Sequence, residues 1–269
     1  MFLAEPPPSR YDFHFSFLGV PVRVHPLFWL ASLLLGINLE EPRLVALWML
    51  AVLLSILVHE FGHVLAYRAC GLPSRVVLHA FGGLAIADRG GYRDSYSAGF
   101  SPGARYGGDM PDGWRMVFIA LAGPVAGFIL AACIVAGVYL AGAVIPFDWF
   151  GRTYWLGPGN DISMRNLRVL LILLLDVNIW WGILNLFPVY PLDGGQIARE
   201  LFLMQSPSNG IQRSLKLSIV TAILLAIGAI VRDQRHGMFM ALMFGYLAYL
   251  SYQNLKAYND FGRYRGSDW

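Results

Sequence analysis

Five consecutive residues, His59-Glu60-Phe61-Gly62-His63, place two imidazoles and a carboxylate in the pattern H-E-x-x-H. On an α-helix residues four apart share a face, so His59 and His63 can aim ring nitrogens at one point. Imidazole pairs at that spacing suit Zn²⁺. At catalytic sites this ion commonly takes three protein ligands in a tetrahedral set and keeps the fourth position for water. Glu60 follows the first imidazole and can reach such a water as general base for attack on a carbonyl. The pattern predicts a hydrolytic centre with one Zn²⁺ per chain and a third ligand elsewhere in the sequence.

The surroundings sharpen this. The run before the motif, Leu44 to Val58, holds no charged residue. Ionisable groups inside an apolar helix are costly and mark functional positions. His59 precedes Arg68 by nine residues, so about 13 Å of helix separates it from that basic edge. Polar groups at such a depth need partners, and a metal ion supplies them.

Candidates for the third ligand are His25, His79, Asp176, Asp193 and His236. His236 falls in a loop on the opposite side. His25 opens an apolar run, and His79 sits in a β-branched stretch. Asp176, in "LLLDVNIWW", reads equally as a carboxyl bonded to a neighbouring helix. Asp193 stands in "NLFPVYPLDGGQ", where Pro188 and Pro191 break a helix and Gly194-Gly195 permit close backbone approach. That puts its carboxylate at a depth and side similar to those of His59 and His63. On the residues alone, an incidental aspartate in an interfacial loop is an equal reading.

The elements that must position these groups are membrane helices. The chain is 57% hydrophobic and only 14% charged, where a soluble domain is nearer a quarter charged. Six runs can cross or enter a bilayer: Pro26–Leu39, Leu44–Tyr67, Met116–Ile145, Leu167–Leu186, Leu217–Val231 and Met238–Leu255. The second, third, fourth and sixth have the ~20 residues a crossing needs; the first and fifth are short. With six crossings, the side holding both termini carries most of the Lys and Arg. The positive-inside rule then puts both termini in the cytoplasm. The lipid bilayer is thus one partner, and the cell inner (plasma) membrane the expected location. The arginines are scattered over membrane flanks rather than gathered in a patch, which excludes nucleic acid. No basic, then apolar, leader opens the chain.

Two stretches break the helical pattern. "FHFSFLGVPVRVH" (13–25) alternates around Gly19 and Pro21. "SRVVLHAFGGLAIA" (74–87) is β-branched and then glycine-rich. Both read as β hairpin segments of a small membrane-associated sheet near the cytoplasmic side. Residues 88–114 read as a cytoplasmic loop, and Trp149–Met164 as a polar outer connection. The fold class is an α-helical polytopic membrane protein with about six transmembrane helices, in a single domain over residues 1–269.

These features together resemble the site-2 protease family of intramembrane zinc metalloproteases. The resemblance rests on "LVHEFGHVLAYRACG", "NLFPVYPLDGG", "GVPVRVHPLFWL", "FGGLA" and "LAGPVAGF", in the family's order and spacing. It implies that His59, His63 and Asp193 bind zinc and that Glu60 is the general base. It implies that Asn185 helps hold substrate or stabilise the oxyanion, and that Phe81, Gly82 and Gly83 contact substrate. The implied substrate is a transmembrane segment of a membrane protein, often a regulator already cut once by another protease. The chain resembles a compact form with no PDZ insertion and no cystathionine-β-synthase domain. It departs from many relatives in having no proline just before Phe-Gly-Gly; His79 lies in that stretch. Two other readings are a proton- or metal-translocating transporter and a non-catalytic relative that binds substrates without cutting. The first has no need of a glutamate beside the first histidine, and the second would be expected to have lost Glu60 or a ligand.

Overall fold

The alternation in residues 13–25 closes as a hairpin. Strands β1 (Phe13–Phe17) and β2 (Val20–Val24) pair antiparallel with Phe17 opposite Val20, leaving Leu18 and Gly19 as a two-residue turn. Both residues have positive φ, 49° and 69°. This is the primed turn whose twist suits a hairpin, and glycine adopts it without strain. The computed structural model describes residues 5–80, 82–87, 112–149, 152–162, 164–232 and 237–266. Phe81, His236 and most of the expected 88–114 loop lie outside the described residues.

Helix α1 (Pro26–Leu35) follows β2, capped by the His25 ring, whose Nδ1 accepts from the Leu27 amide at 3.2 Å. Helix α2 (Pro42–Ala69) runs 28 residues from a proline in its first turn. Its end is closed by Gly71 at φ 74° and by the Leu72 amide donating to the Tyr67 carbonyl at 2.9 Å. Beside that end, Arg68 donates to the carbonyls of Leu18 and Gly19, each at 3.1 Å, and ties the first hairpin down. The second hairpin is β3 (Ser74–His79) with β4 (Gly82–Ala87). The four strands make one sheet in the order β1-β2-β3-β4, with β2 and β3 parallel. The inner strands bury Val20, Val22, Val24, Val76 and Leu78 against Val52, Ile56, Phe61 and Val64 of α2. Because β3 has a neighbour on each side, it offers no edge; among the described residues the sheet's edges are β1 and β4.

Helix α3 (Asp112–Leu140) starts inside the expected loop and stops short of the expected run. Gly142, at φ 63°, turns the chain into a second, three-stranded sheet. It consists of β5 (Ala143–Trp149), β6 (Arg152–Leu156) and β7 (Asn160–Asp161), in the order β6-β5-β7. The polar connection expected at Trp149–Met164 thus contains β6 and β7. Hydropathy merged the β-branched start of β5 with the preceding helix, and polar faces hid β6. Then come α4 (Arg165–Asn185), α5 (Asp193–Gln205), α6 (Gly210–Arg232) and α7 (Gly237–Gly266).

Among the described residues, four helices are long and apolar enough to cross a bilayer: α2, α3, α4 and α6. The expected count of about six is not reached on that measure. The first run yields only the ten residues of α1, about 15 Å against a ~30 Å hydrocarbon core. The sixth run becomes the long α7, but Tyr246, Tyr249, Tyr252, Gln253 and Asn254 dilute its apolarity. The fifth run proves longer than expected, because a polar turn with Gln212, Arg213 and Lys216 continues the same helix.

Contacts divide the chain into two compact units. One is Met1–Ser101 with Ala122–Ile183; the other is Pro102–Leu121 with Leu184–Trp269. The first contains both sheets, α1, α2 and most of α3 and α4. The second contains the first turns of α3, the end of α4, and α5 to α7.

Candidate metal centre

In the first unit the buried stripe of α2 runs Val52, Ser55, Ile56, His59, His63 and Ala66. Both histidines therefore turn inward, as their spacing requires. Their Nε2 atoms stand 3.2 Å apart, with the rings edge to face at 77°. Two nitrogens each ~2.05 Å from one Zn²⁺ at a tetrahedral angle would stand roughly 3.3 Å apart. The donor set thus fits the ion. Ligand atoms of His59, Glu60 and His63 all lie within 4.8 Å of one another, and all three residues are buried. Of the other candidates in this unit, His25, His79 and Asp176 do not join that group; His25 instead caps α1.

Glycines set the walls. A Cβ on Gly123 of α3 would lie 2.8 Å from Nε2 of His59 and closer still to Nε2 of His63. One on Gly62 would lie 2.8 Å from the carbonyl carbon of Ala122. So α2 and α3 meet backbone to backbone, and the imidazoles lie over bare glycine. On the other side β4 passes across Glu60: a Cβ on Gly83 would overlap the Glu60 carboxyl. Gly82 lies against Trp181 of α4 in the same way. One turn before His59, Ser55 accepts a 2.8 Å hydrogen bond from Asn178 Nδ2, which also donates to the Leu174 carbonyl at 2.7 Å. That bond joins α2 to α4 just below the histidines. The roles of Gly123 and Asn178 were missed at the level of sequence. Only "LAGP" and the polar interruption of "LLLDVNIWW" hinted at them.

His79 ends β3, buried. Burial pushes its imidazole down from the ordinary 6.5 to about 4, with the charges of His25 and Arg23 adding to the effect. The folded state therefore binds a proton less readily than the unfolded one. Its stabilising contribution is complete above pH 6.5 and is lost as pH falls from there toward 4. The loss amounts to roughly 3 kcal/mol. In thermal melts of detergent-solubilised protein, Tm is expected to fall over that window, and to fall less in His79→Gln. Parallel pH profiles for the two proteins would sink this account.

In the second unit, Asn185 is the last residue of α4 and Asp193 the first of α5; both are buried. The connection between them is tight. A Cβ on Gly194 would strike the Leu186 and Phe187 carbonyls, and one on Gly195 would strike the backbone of Val189 and Tyr190. The two glycines thus let the turn fold onto the start of α5 and set Asp193 in its first turn. A carboxylate is favoured at that end of a helix.

Residues 47–227 match the model of a protein family described as peptidase family M50. Among curated proteins the chain is similar to a zinc metalloprotease of Methanocaldococcus jannaschii. The two are 24% identical over 207 residues, which cover 76% of this chain and 48% of that protein. It is also similar to Rip3 of Mycobacterium tuberculosis, likewise named as a zinc metalloprotease. There the identity is 28% over 230 residues, covering 78% of this chain and 49% of that one. The chain thus spans about half the length of the curated relatives it matches. Among solved structures it resembles the site-2 protease from Methanocaldococcus jannaschii with a TM-score of 0.52 at 20% identity, over 91% of this chain and 95% of that one. At that identity the likeness is one of fold.

Proposed function

The chain belongs to peptidase family M50, and from that premise we propose that it is a zinc-dependent endopeptidase acting inside the membrane. Its substrate is a membrane protein, cut within or near a transmembrane segment, as in regulated intramembrane proteolysis. The observation that carries this reading is the buried His59-Glu60-His63 group on a helix apolar enough to span the bilayer.

His59, His63 and Asp193 hold the ion in this reading. When bound, Zn²⁺ lowers the pKa of water toward ~7 and polarises the scissile carbonyl. Glu60 takes a proton from the attacking water and delivers it to the leaving amine. Asn185 donates a hydrogen bond to the substrate backbone or the developing oxyanion. A helical substrate hides its amides in its own hydrogen bonds, so it must unwind to be cut. Among the described residues no strand pairs with the outer edge of β4. That edge, beginning with Gly82 and Gly83 above Glu60, is the place for an unwound strand to add. The interior strand β3 is not. Both termini lie on the cytoplasmic side in this reading, where the basic residues gather.

The test is reconstitution of the full chain in lipid vesicles with a single-pass membrane substrate, scored for cleavage and for zinc per chain. Asp193→Asn should weaken zinc retention by on the order of a hundredfold and abolish cleavage at ambient zinc. If that variant keeps both full zinc and full activity, Asp193 is not the third ligand. If the unaltered chain binds no zinc and cuts nothing, the proposal fails as a whole.

A further inference from the structure

The turn before Asp193 is held by two serines from the last two helices. The Tyr190 amide donates to Ser218 Oγ of α6 at 2.7 Å. Ser218 Oγ and Ser251 Oγ of α7 are 2.7 Å apart. Ser251 Oγ donates to the Tyr190 carbonyl at 3.4 Å. An amide can only donate and a carbonyl can only accept, and each hydroxyl has one proton. The direction is therefore fixed: Tyr190 N–H to Ser218, Ser218 to Ser251, Ser251 to Tyr190 C=O. The ring closes on the residue where it began and satisfies both backbone polar groups of Tyr190. Both serines are buried, at 1% and 0% exposure, so no water stands ready to replace either hydroxyl.

The turn carries this restraint to Asp193. The Leu192 amide donates to the Val189 carbonyl at 2.8 Å, and the Gln196 amide to Leu192 at 3.0 Å. The Gln196 side chain donates to the Pro191 carbonyl at 3.3 Å. Gly195 lies directly against the backbone of Val189 and Tyr190. Tyr190 and the first turn of α5 thus form one stiff piece, with Asp193 inside it. Ser214, one turn earlier on α6, shows the ordinary alternative: it is buried too, but its hydroxyl donates to Ile211 in its own helix at 2.9 Å.

We infer that Ser218 and Ser251 are positioning residues for Asp193, through which the α6–α7 pair sets the third metal ligand. The inference rests on Asp193 being that ligand. It makes the last two helices part of the metal centre's support, although neither donates an atom to it.

The experiment uses the full chain in detergent, with zinc affinity measured by chelator competition and ligand geometry by the visible absorption of the Co²⁺-loaded protein. Ser218→Ala and Ser251→Ala are each expected to weaken zinc about tenfold and to shift the Co²⁺ bands. The double variant should be no worse than either single one, because the first change already opens the ring. Ser214→Ala should match the unaltered chain. Hydrogen exchange at the Tyr190 amide should quicken in Ser218→Ala with or without metal. Should the alanine variants not fold, Ser218→Cys and Ser251→Cys, close in volume and weaker in bonding, stand in with the same expectations. Zinc affinity and Co²⁺ bands unchanged in both serine variants, beside a loss in Asp193→Ala, would overturn the inference and leave the ligand assignment intact. Zinc unchanged in Asp193→Ala would instead overturn the assignment.

Discussion

Glu60→Gln is expected to keep its zinc and lose on the order of a thousandfold in kcat. Glutamine has the shape of glutamate, so it fits the same narrow space beneath Gly83, where no side chain on β4 could intrude. The helix, the sheet and the imidazoles keep their packing. What is lost is the group that accepts a proton from water and returns it to the departing amine. Nothing else of that kind stands in the described cluster besides the two histidines, whose nitrogens already converge on one point. The measurement is single-turnover cleavage of a reconstituted membrane substrate, with zinc per chain determined on the same sample. Equal turnover by the two proteins would sink the hydrolytic reading. It would favour a centre that only binds or carries a cation.

Gly123→Ala is expected to lose most of the bound zinc while the chain stays folded. The added methyl would overlap Nε2 of both His59 and His63. Those atoms are tips of side chains and can swing away at modest cost in packing, but not while remaining ligands. Zinc retained after dialysis should fall below about a tenth of the unaltered level, at least the loss that removing an outer-shell partner brings. Gly62→Ala offers the contrast. Its methyl would meet the backbone of Ala122, which cannot rotate aside, so the helices themselves must part. There the cost falls on stability, about 1–3 kcal/mol as in other overpacked cores. If Gly123→Ala binds zinc normally, the imidazoles do not rest on α3 as described.

Much of this centre was legible in the sequence because its chemistry is local. H-E-x-x-H needs only the helical repeat to bring two nitrogens together, and the rings do converge. The hairpins at 13–25 and 74–87 were legible from alternation and glycine. Their union into one sheet was not, since the pairing of Val22 with Val76 leaves no trace in either strand's own pattern. Asp193 was a candidate from its own surroundings, an even choice until the family resemblance singled it out, while Asn185 entered through the resemblance alone; their joint action with the histidines stands as a proposal. Gly123 shows the limit most plainly. A glycine's meaning lies in what faces it across a gap, here side chains sixty residues earlier in the chain. The extent of α6 was underestimated for a simpler reason: a helix continues for as long as its backbone bonds do, and an apolar run ends at the first charge.

The parallel pairing of β2 with β3 also explains why the first helix is so short. The His25 amide bonds to the Leu78 carbonyl at 2.9 Å, Leu78 lies opposite Gly83, and Gly83 lies on Glu60. The first helix therefore sets out from the storey of the building where Glu60 stands, not from the ground floor. Ten residues later Gly36 packs on Trp48, whose indole donates to the Ser32 carbonyl at 3.0 Å. Along α2, the step from Glu60 back to Trp48 is twelve residues, about 18 Å; α1 climbs about 15 Å. The two lengths agree within a residue or two. The pairing of β2 with β3 brings the chain to the level of Glu60 before α1 begins, so α1 runs only beside the stretch of α2 from Glu60 back to Trp48.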